Sequence, residues 1–270
     1  MSNPTLRKRL IPLLFAAMMP AMLAACATKP PASEPEALSE YETNNDPLEP
    51  FNRAMYAVNN GIDTVILRPA ALGYRYVVPQ PVRTGVRNVL LNLGTPVIAL
   101  NDALQGEGQR FGTTLGRFVL NSTIGVLGVF DVATGFGLPR HGEDFGQTLA
   151  TWGVGEGPYL FLPIFGPSNP RDVVGLVTDT ATNPMTWVLM GSDIPQSVPY
   201  IVLGVRIVDA REGVLDTLDD VKRSSLDPYA TIRSAYRQQR NREISNPPGP
   251  PPNSRTGSGF NLPANTLQFR

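Results

Sequence analysis

The sequence predicts a mainly α-helical fold, and three features carry that expectation. Apolar residues recur at steps of three and four through successive segments, which is the period of a helix with one buried face. Alternating apolar and polar runs, the mark of half-buried strands, are almost absent. Asp-Pro occurs at 46–47 and again at 227–228, and an aspartate N-cap followed by proline in the first turn is a good helix start.

In chain order, the first segment lies outside that fold. Arg7, Lys8 and Arg9 precede an uncharged run, "LIPLLFAAMMPAMLAA", whose 16 residues include Pro12 and Pro20. A spanning helix needs about 20 apolar residues, so residues 1–25 read as a secretory signal peptide. The run ends in Leu23-Ala24-Ala25-Cys26, which resembles a bacterial lipobox, and Cys26 is the only cysteine. The lipobox implies a diacylglycerol on the Cys26 thiol, cleavage before it, and acylation of the new amine. Several acyl chains anchor stably where one is marginal. Ala27 stands where aspartate would favour the inner membrane, so the analogy points to the outer one. With no second cysteine there is no intramolecular disulfide, and stability has to come from a core.

Residues 26–45 are polar, carry prolines and lack an apolar period, as expected of a lipidated flexible tether. Residues 246–270, rich in Pro, Gly and Ser, read as a disordered tail. The folded domain is expected over 46–245. Asp46 and Glu49 have capping-box spacing, and Leu48, Phe51, Met55, Val58, Ile62 and Val65 form a helical stripe that Pro69 should end. Pro81 opens a second helix, Gly94-Thr95-Pro96 should break it, and a short helix should continue to Leu104. A further helix is expected over about 107–122. Asn169 can cap another that begins at Pro170. A long stripe runs from Val198 to Val221, interrupted by Glu212, and Tyr229, Ile232 and Tyr236 mark a short final helix.

Two stretches look unlike a soluble domain. "FVLNSTIGVLGVFDVATGFGL", residues 118–138, has 21 residues and one charge, Asp131. As a spanning helix it would carry Asp131 at a cost of about 2.5–3.5 kcal/mol. Gly125, Gly128, Gly135 and Gly137 would add to that cost. A helix ending near Ile124, then an apolar glycine-jointed loop or short helix, is more economical. Such a unit is either a buried core or an apolar hairpin at a membrane. "TWGVGEGPYLFLPIFGPSNP", residues 151–170, is apolar but broken by glycines and prolines, so it forms neither a long helix nor a central strand.

Composition points the same way. Charged residues are 17% of the chain, against roughly 25% in ordinary soluble domains, which suits a protein with surface in contact with lipid or another protein. Three of the 23 basic residues lie in the signal; the 20 that remain face 23 acidic ones. The mature net charge of −3 gives no electrostatic reason to expect nucleic acid.

The blocks "NDPLEPFNRAMYAVN", "NDALQGEGQRFGTTLGRFVLNSTIGVLGVFDVA", "DFGQTLATWGVGEGPYLFLPIFGPSNPRD" and "SSLDPYATIRSAYRQQR" resemble those of the MlaA (VacJ) family of outer-membrane lipoproteins, over about residues 44–242. The resemblance implies a ring-like arrangement of helices embedded in the membrane, around a polar passage. It also implies a non-enzymatic role in retrograde phospholipid transport, which maintains lipid asymmetry. Phospholipid misplaced in the outer leaflet would pass to a periplasmic carrier like MlaC, beside a trimeric porin. Cys26 would be the anchor, and Gly125, Gly128, Gly135 and Gly137 would be hinges of the gating hairpin. Phe51, Asn52 and Arg53 would help fix the resting conformation. No cofactor is implied.

Two other classes compete with transport. A scaffold lipoprotein would share lipobox and tether without needing the glycine-jointed hairpin. A lipid hydrolase could be drawn from His141, the only histidine, with Glu143, Asp144 and Ser168, but the folded region has no nucleophile elbow. One histidine and one lipidated cysteine leave little for a metal. Glu143-Asp144 and Asp219-Asp220 read as solvated pairs. Arg233, Arg237, Arg240 and Arg242, with Lys222 and Arg223, read as a solvated basic face.

Overall fold

The computed structural model describes residues 30, 31, 33–191, 195 and 197–246. Cys26, the signal and the tail from 247 onward lie outside the described residues. The tether region is not irregular throughout, because Pro35–Asn44 forms a helix, α1. The domain proper then begins with α2, Glu49–Ile62. It starts two residues later than an Asp46 cap would place it, with Leu48 at the cap position and Asp46 a buried acceptor.

Pro69 does not end this helix. A π-helical turn, Asp63–Leu67, joins α2 directly to α3, Arg68–Val77. The Arg68 N–H reaches back to the Asp63 carbonyl, and the widened turn opens the ladder just before the residue that has no N–H to give. Nor does Pro96 break α4, which runs from Gln80 to Leu104. Asn92 bonds Ser122, and Asn101 accepts from Thr148, so tertiary contacts on either side of Pro96 hold one axis. Helix α5, Gly108–Thr123, packs against α4 and matches its expected span.

A four-residue helix, Val132–Gly135 (α6), lies within the segment that follows α5. Helix α7, Phe145–Thr151, is capped by the Asp144 side chain. The proline- and glycine-broken stretch forms a small antiparallel pair, β1 Leu160–Leu162 and β2 Gly166–Ser168. Asn169 then caps α8, Pro170–Thr182, with its side chain accepting from the Asp172 N–H. Helix α9 is Pro184–Gly191. The long stripe divides at Val214 into α10, Ser197–Gly213, and α11, Leu215–Ser224. The last helix, α12, runs from Pro228 to Ile244 with Asp227 as its cap, longer than its three apolar markers suggested.

The apolar core is small and aromatic. Tyr159 and Phe161 of the β-hairpin meet Tyr229 and Ile232 of α12 and Val221 of α11, with Tyr56 edge-on to Phe161 at 5.6 Å. The rest of the interior is held by charge. Arg233 pairs with Asp46 at 2.7 Å, and Arg240 spans Asp144 and Asp172 at 2.6 and 2.8 Å. Arg211 and Lys222 converge on Asp63 at 2.5 and 2.7 Å. Burial pushes the Asp63 carboxyl up, but those two cations outweigh it and hold it below its usual range. Arg233 and Arg240 are therefore interior struts, and Arg237 and Lys222 are half-buried, while Arg223 and Arg242 are exposed as a solvated face would be. Glu143-Asp144 is no solvated pair either: Glu143 is buried against Arg110 and Asp144 is bound by Arg240. Asp219 pairs with Arg68 at 2.8 Å.

Large apolar side chains lie outside instead. Val65, Leu127, Met190 and Tyr200 are each about three-quarters exposed. Exposed apolar area on this scale marks contact with lipid or protein. Among the described residues no helix is long and apolar enough to cross a membrane.

Candidate functional site

The apolar stretch after α5 is a hairpin, and it is exposed. Carbonyls of the last α5 turn, which lack intrahelical partners, are met by the returning chain. Gly125, Leu127 and Gly128 donate to Leu120, Ser122 and Asn121 at 3.0, 3.1 and 2.8 Å. Making that reversal puts three consecutive residues in the left-handed region, Val126 at φ +52°, Leu127 at +55° and Gly128 at +92°. For each of the two non-glycine residues this costs about 1–2 kcal/mol. The strained tip shows its side chains to the surroundings, as do Phe130 and Phe136. A soluble core would have buried them.

The four hairpin glycines differ. A Cβ on Gly125 would collide with the carbonyls of Phe130 and Asn121, and one on Gly128 would come within 2.6 Å of Asn92 Cβ. Those two are sites of close packing. Gly135 and Gly137 have open space around them, and Gly137 sits at φ +77°.

The base of the hairpin is a polar knot around Asp131. Arg117 Nη2 donates to Asp131 Oδ1 at 2.7 Å and its Nη1 to Leu138 O at 2.5 Å. Asn121 bridges Asp131 and the Ala133 N–H. Arg140 and Thr134 donate to Asp131 Oδ2 at 3.0 and 2.7 Å. Burial raises the Asp131 carboxyl, but Thr134 and the two arginines overcome that and bring it to about 2.

Behind the knot opens a cavity of about 670 Å³. Its charged wall comes from Arg75 of α3, Arg83 and Arg87 of α4, Arg140 after the hairpin, and Glu212 and Asp216 at the α10–α11 junction. A second space, of about 380 Å³, shares Thr84, Asn88 and Asp131 with it and borders Val129 and Phe130 of the hairpin. Arg87 pairs with Asp209 and Glu212 at 3.0 and 2.9 Å, and Arg75 with Glu212 and Asp216 at 3.0 and 2.8 Å. Arg83 shares Glu212 with them. None of these arginines stood out in the sequence. The available signals were Arg83 and Arg87 one turn apart on one helix face, and Glu212 interrupting an apolar stripe.

The residues of the opening helix form a separate joint. Asn52 is fully buried; its Nδ2 donates to Asp46 Oδ1 at 2.7 Å and to Tyr159 O at 3.0 Å, and its Oδ1 accepts from the Phe161 N–H at 2.9 Å. Arg53 lies 4.5 Å over the Tyr229 ring and donates to Asp227. Phe51 is half-buried beside them. Asn52 and Arg53 tie α2 to β1 and to the start of α12.

The residues drawn for a hydrolase do not assemble. His141 Nε2 faces Asp102 Oδ1 at 2.9 Å and Thr114 at 3.2 Å. Ser168 sits at the end of β2 and donates to the Asn169 carbonyl. Among the described residues no group of three or more His, Cys, Asp and Glu side chains could hold a metal ion.

A family model described as MlaA lipoprotein matches residues 44–243. The chain belongs to the MlaA lipoprotein family. It is 37% identical over 206 residues to the Intermembrane phospholipid transport system lipoprotein MlaA of Escherichia coli (strain K12), covering 74% of this chain and 79% of that protein. An uncharacterized protein of Rickettsia bellii is 40% identical over 203 residues, 75% of this chain and 78% of its own length. A solved structure described as "Structural basis for maintenance of bacterial outer membrane lipid asymmetry" superposes with a TM-score of 0.65 at 37% identity, covering 74% of this chain and 98% of that one. The mainly helical MlaA architecture is therefore the fold of this chain.

Proposed function

We propose that the protein is a lipid-anchored component of the outer membrane that removes misplaced phospholipid from the outer leaflet and passes it toward the periplasm. Cys26 carries the anchor. The lipid head crosses through the charged cavity while its tails remain in contact with the apolar exterior, and no covalent step is required. A soluble lipid carrier of the MlaC kind receives the lipid, and a trimeric porin holds the protein in the membrane. Gly135 and Gly137 let the hairpin move, while Asn52 and Arg53 keep α2 seated against β1 and α12 in the resting state.

One observation supports this reading above the others: a cavity lined by paired arginines and carboxylates lies directly behind an exposed, strained apolar hairpin. Phospholipid has one part that is costly to place in hydrocarbon and one that is costly to place in water, and this juxtaposition offers a surface to each. The MlaA lipoproteins of Escherichia coli and Haemophilus influenzae, 37% and 36% identical to this chain, are named for intermembrane phospholipid transport, which strengthens it.

The test is transfer by the acylated protein in vesicles carrying a labelled phospholipid, with a soluble carrier as acceptor. Protein-dependent arrival of intact phospholipid is the expected result. Lysophospholipid and free fatty acid appearing over time would favour a hydrolase. No transfer and no product would favour a scaffold.

A further inference from the structure

The two arginines with the fewest commitments face the same cavity. Arg75 spends all three of its guanidinium nitrogens on Glu212 and Asp216, and Arg87 spends two on Asp209 and Glu212. Arg83 donates only through Nη1, to a Glu212 carboxylate that two other arginines already use. Its Nε is buried with no partner, and a buried donor left unmet calls for an explanation. Arg140 uses only Nη2, toward Asp131 and, at 3.4 Å, toward Asn88 Oδ1. Asp131 is itself shared with Arg117. Counting the partners of the wall residues, Arg75, Arg83, Arg87, Arg117 and Arg140 stand against Asp131, Asp209, Glu212 and Asp216, so one positive charge is left over.

We infer that Arg83 and Arg140 form a subsite for the phosphodiester of a phospholipid head, taken up between the two guanidiniums. This deepens the transport reading and rests on it. A guanidinium offers a planar fork that matches two phosphate oxygens, which a lysine ammonium does not. A small swing of Arg83 that offers Nε and Nη2 together satisfies the orphaned donor. One phosphodiester charge balances the excess on the wall. Both arginines are positioned by elements that meet at the hairpin base: Arg83 by the first turns of α4, Arg140 by the Asp131 knot. The subsite reads the phosphate and not what is esterified to it. Phosphatidylglycerol and phosphatidylethanolamine therefore both enter, and diacylglycerol does not.

The experiment compares the full-length acylated protein with Arg83→Gln/Arg140→Gln and Arg83→Lys/Arg140→Lys. Each is titrated in detergent with dihexanoyl phosphatidylglycerol, dihexanoylglycerol and inorganic phosphate, and each is assayed for vesicle transfer. Wild type should bind the phosphatidylglycerol and not the glycerol lipid. The glutamine pair should lose roughly tenfold or more in affinity and in transfer, as expected for charge-assisted hydrogen bonds, and the lysine pair should fall between. Unchanged thermal unfolding keeps the comparison valid, and should the glutamine pair unfold, the lysine pair alone decides. A glutamine pair that binds and transfers like wild type overturns the subsite and leaves transport standing. Equal binding of the glycerol lipid also overturns it, and so does inorganic phosphate that binds wild type and the glutamine pair alike. A wild type that transfers no phospholipid overturns transport, and the titration then judges the subsite by itself.

Discussion

At Asn52 a single side chain satisfies three buried partners from two distant parts of the chain. It joins the carboxylate of Asp46, the carbonyl of Tyr159 and the N–H of Phe161, so Asn52→Ala leaves each of them unmet in the interior. We expect it to cost roughly 2–4 kcal/mol, read as a lowered melting temperature with faster hydrogen exchange at Leu160–Leu162. An unchanged melting temperature would show that water replaces the amide. Glu143 makes a different demand. Burial, with Asp102 and Asp144 nearby, pushes its carboxyl up to about 7 although Gln105 and Arg110 oppose the shift. A carboxyl raised on folding contributes stability that is present below its unfolded value, near 4.5, and lost as pH rises through 7. Glu143→Gln removes that loss. Between pH 5 and pH 8 the wild type should decline relative to the variant by about 1–3 kcal/mol; parallel pH profiles would contradict the assignment.

At the scale of elements, the hairpin combines close packing and freedom along one short segment. Gly128→Ala meets both a left-handed φ and the Asn92 side chain, so it should destabilise most, with Gly125→Ala close to it. Gly137→Ala meets only the backbone penalty, about 1 kcal/mol. Gly135→Ala, in a helical turn with open space, should be neutral or slightly stabilising. Thermal unfolding of the four variants gives the order, and a Gly135 variant as unstable as Gly128→Ala would refute it. Of the four hinges implied by the resemblance, the packing leaves room for movement at two.

Elements with strong local signals were legible from sequence: the α5 helix and its end near Ile124, the Asn169 cap with Pro170, and the Asp227 cap with Pro228. Local rules misjudged Pro69 and Pro96. A π turn, in the one case, and tertiary bonds from Asn92 and Asn101, in the other, kept those helices running. The cavity wall was not legible. A sequence shows that Arg87 and Asp209 are charged but not that 122 positions of chain bring them to 3.0 Å. The same blindness made Arg233 and Arg240 look solvent-facing.

Across the whole molecule, polarity is distributed in reverse. Ion pairs and amide bonds fill much of the interior, and large apolar side chains crowd the surface. Such an arrangement is costly in water and reasonable in hydrocarbon, where the exterior is already solvated and the interior must satisfy its own polar groups. It also leaves a charged space inside an apolar envelope, which is what a phospholipid head needs in order to leave one face of a membrane for the other. The central claim is that phospholipid occupies that space. A photo-crosslinking amino acid placed at Thr84, which is exposed on the cavity wall, tests it most directly, with Ser234 on the exposed face of α12 as control. In cells making the acylated protein, mass spectrometry should find a covalent phospholipid adduct at position 84 and none at 234. No adduct at 84, or equal labelling at the two positions, would contradict the account.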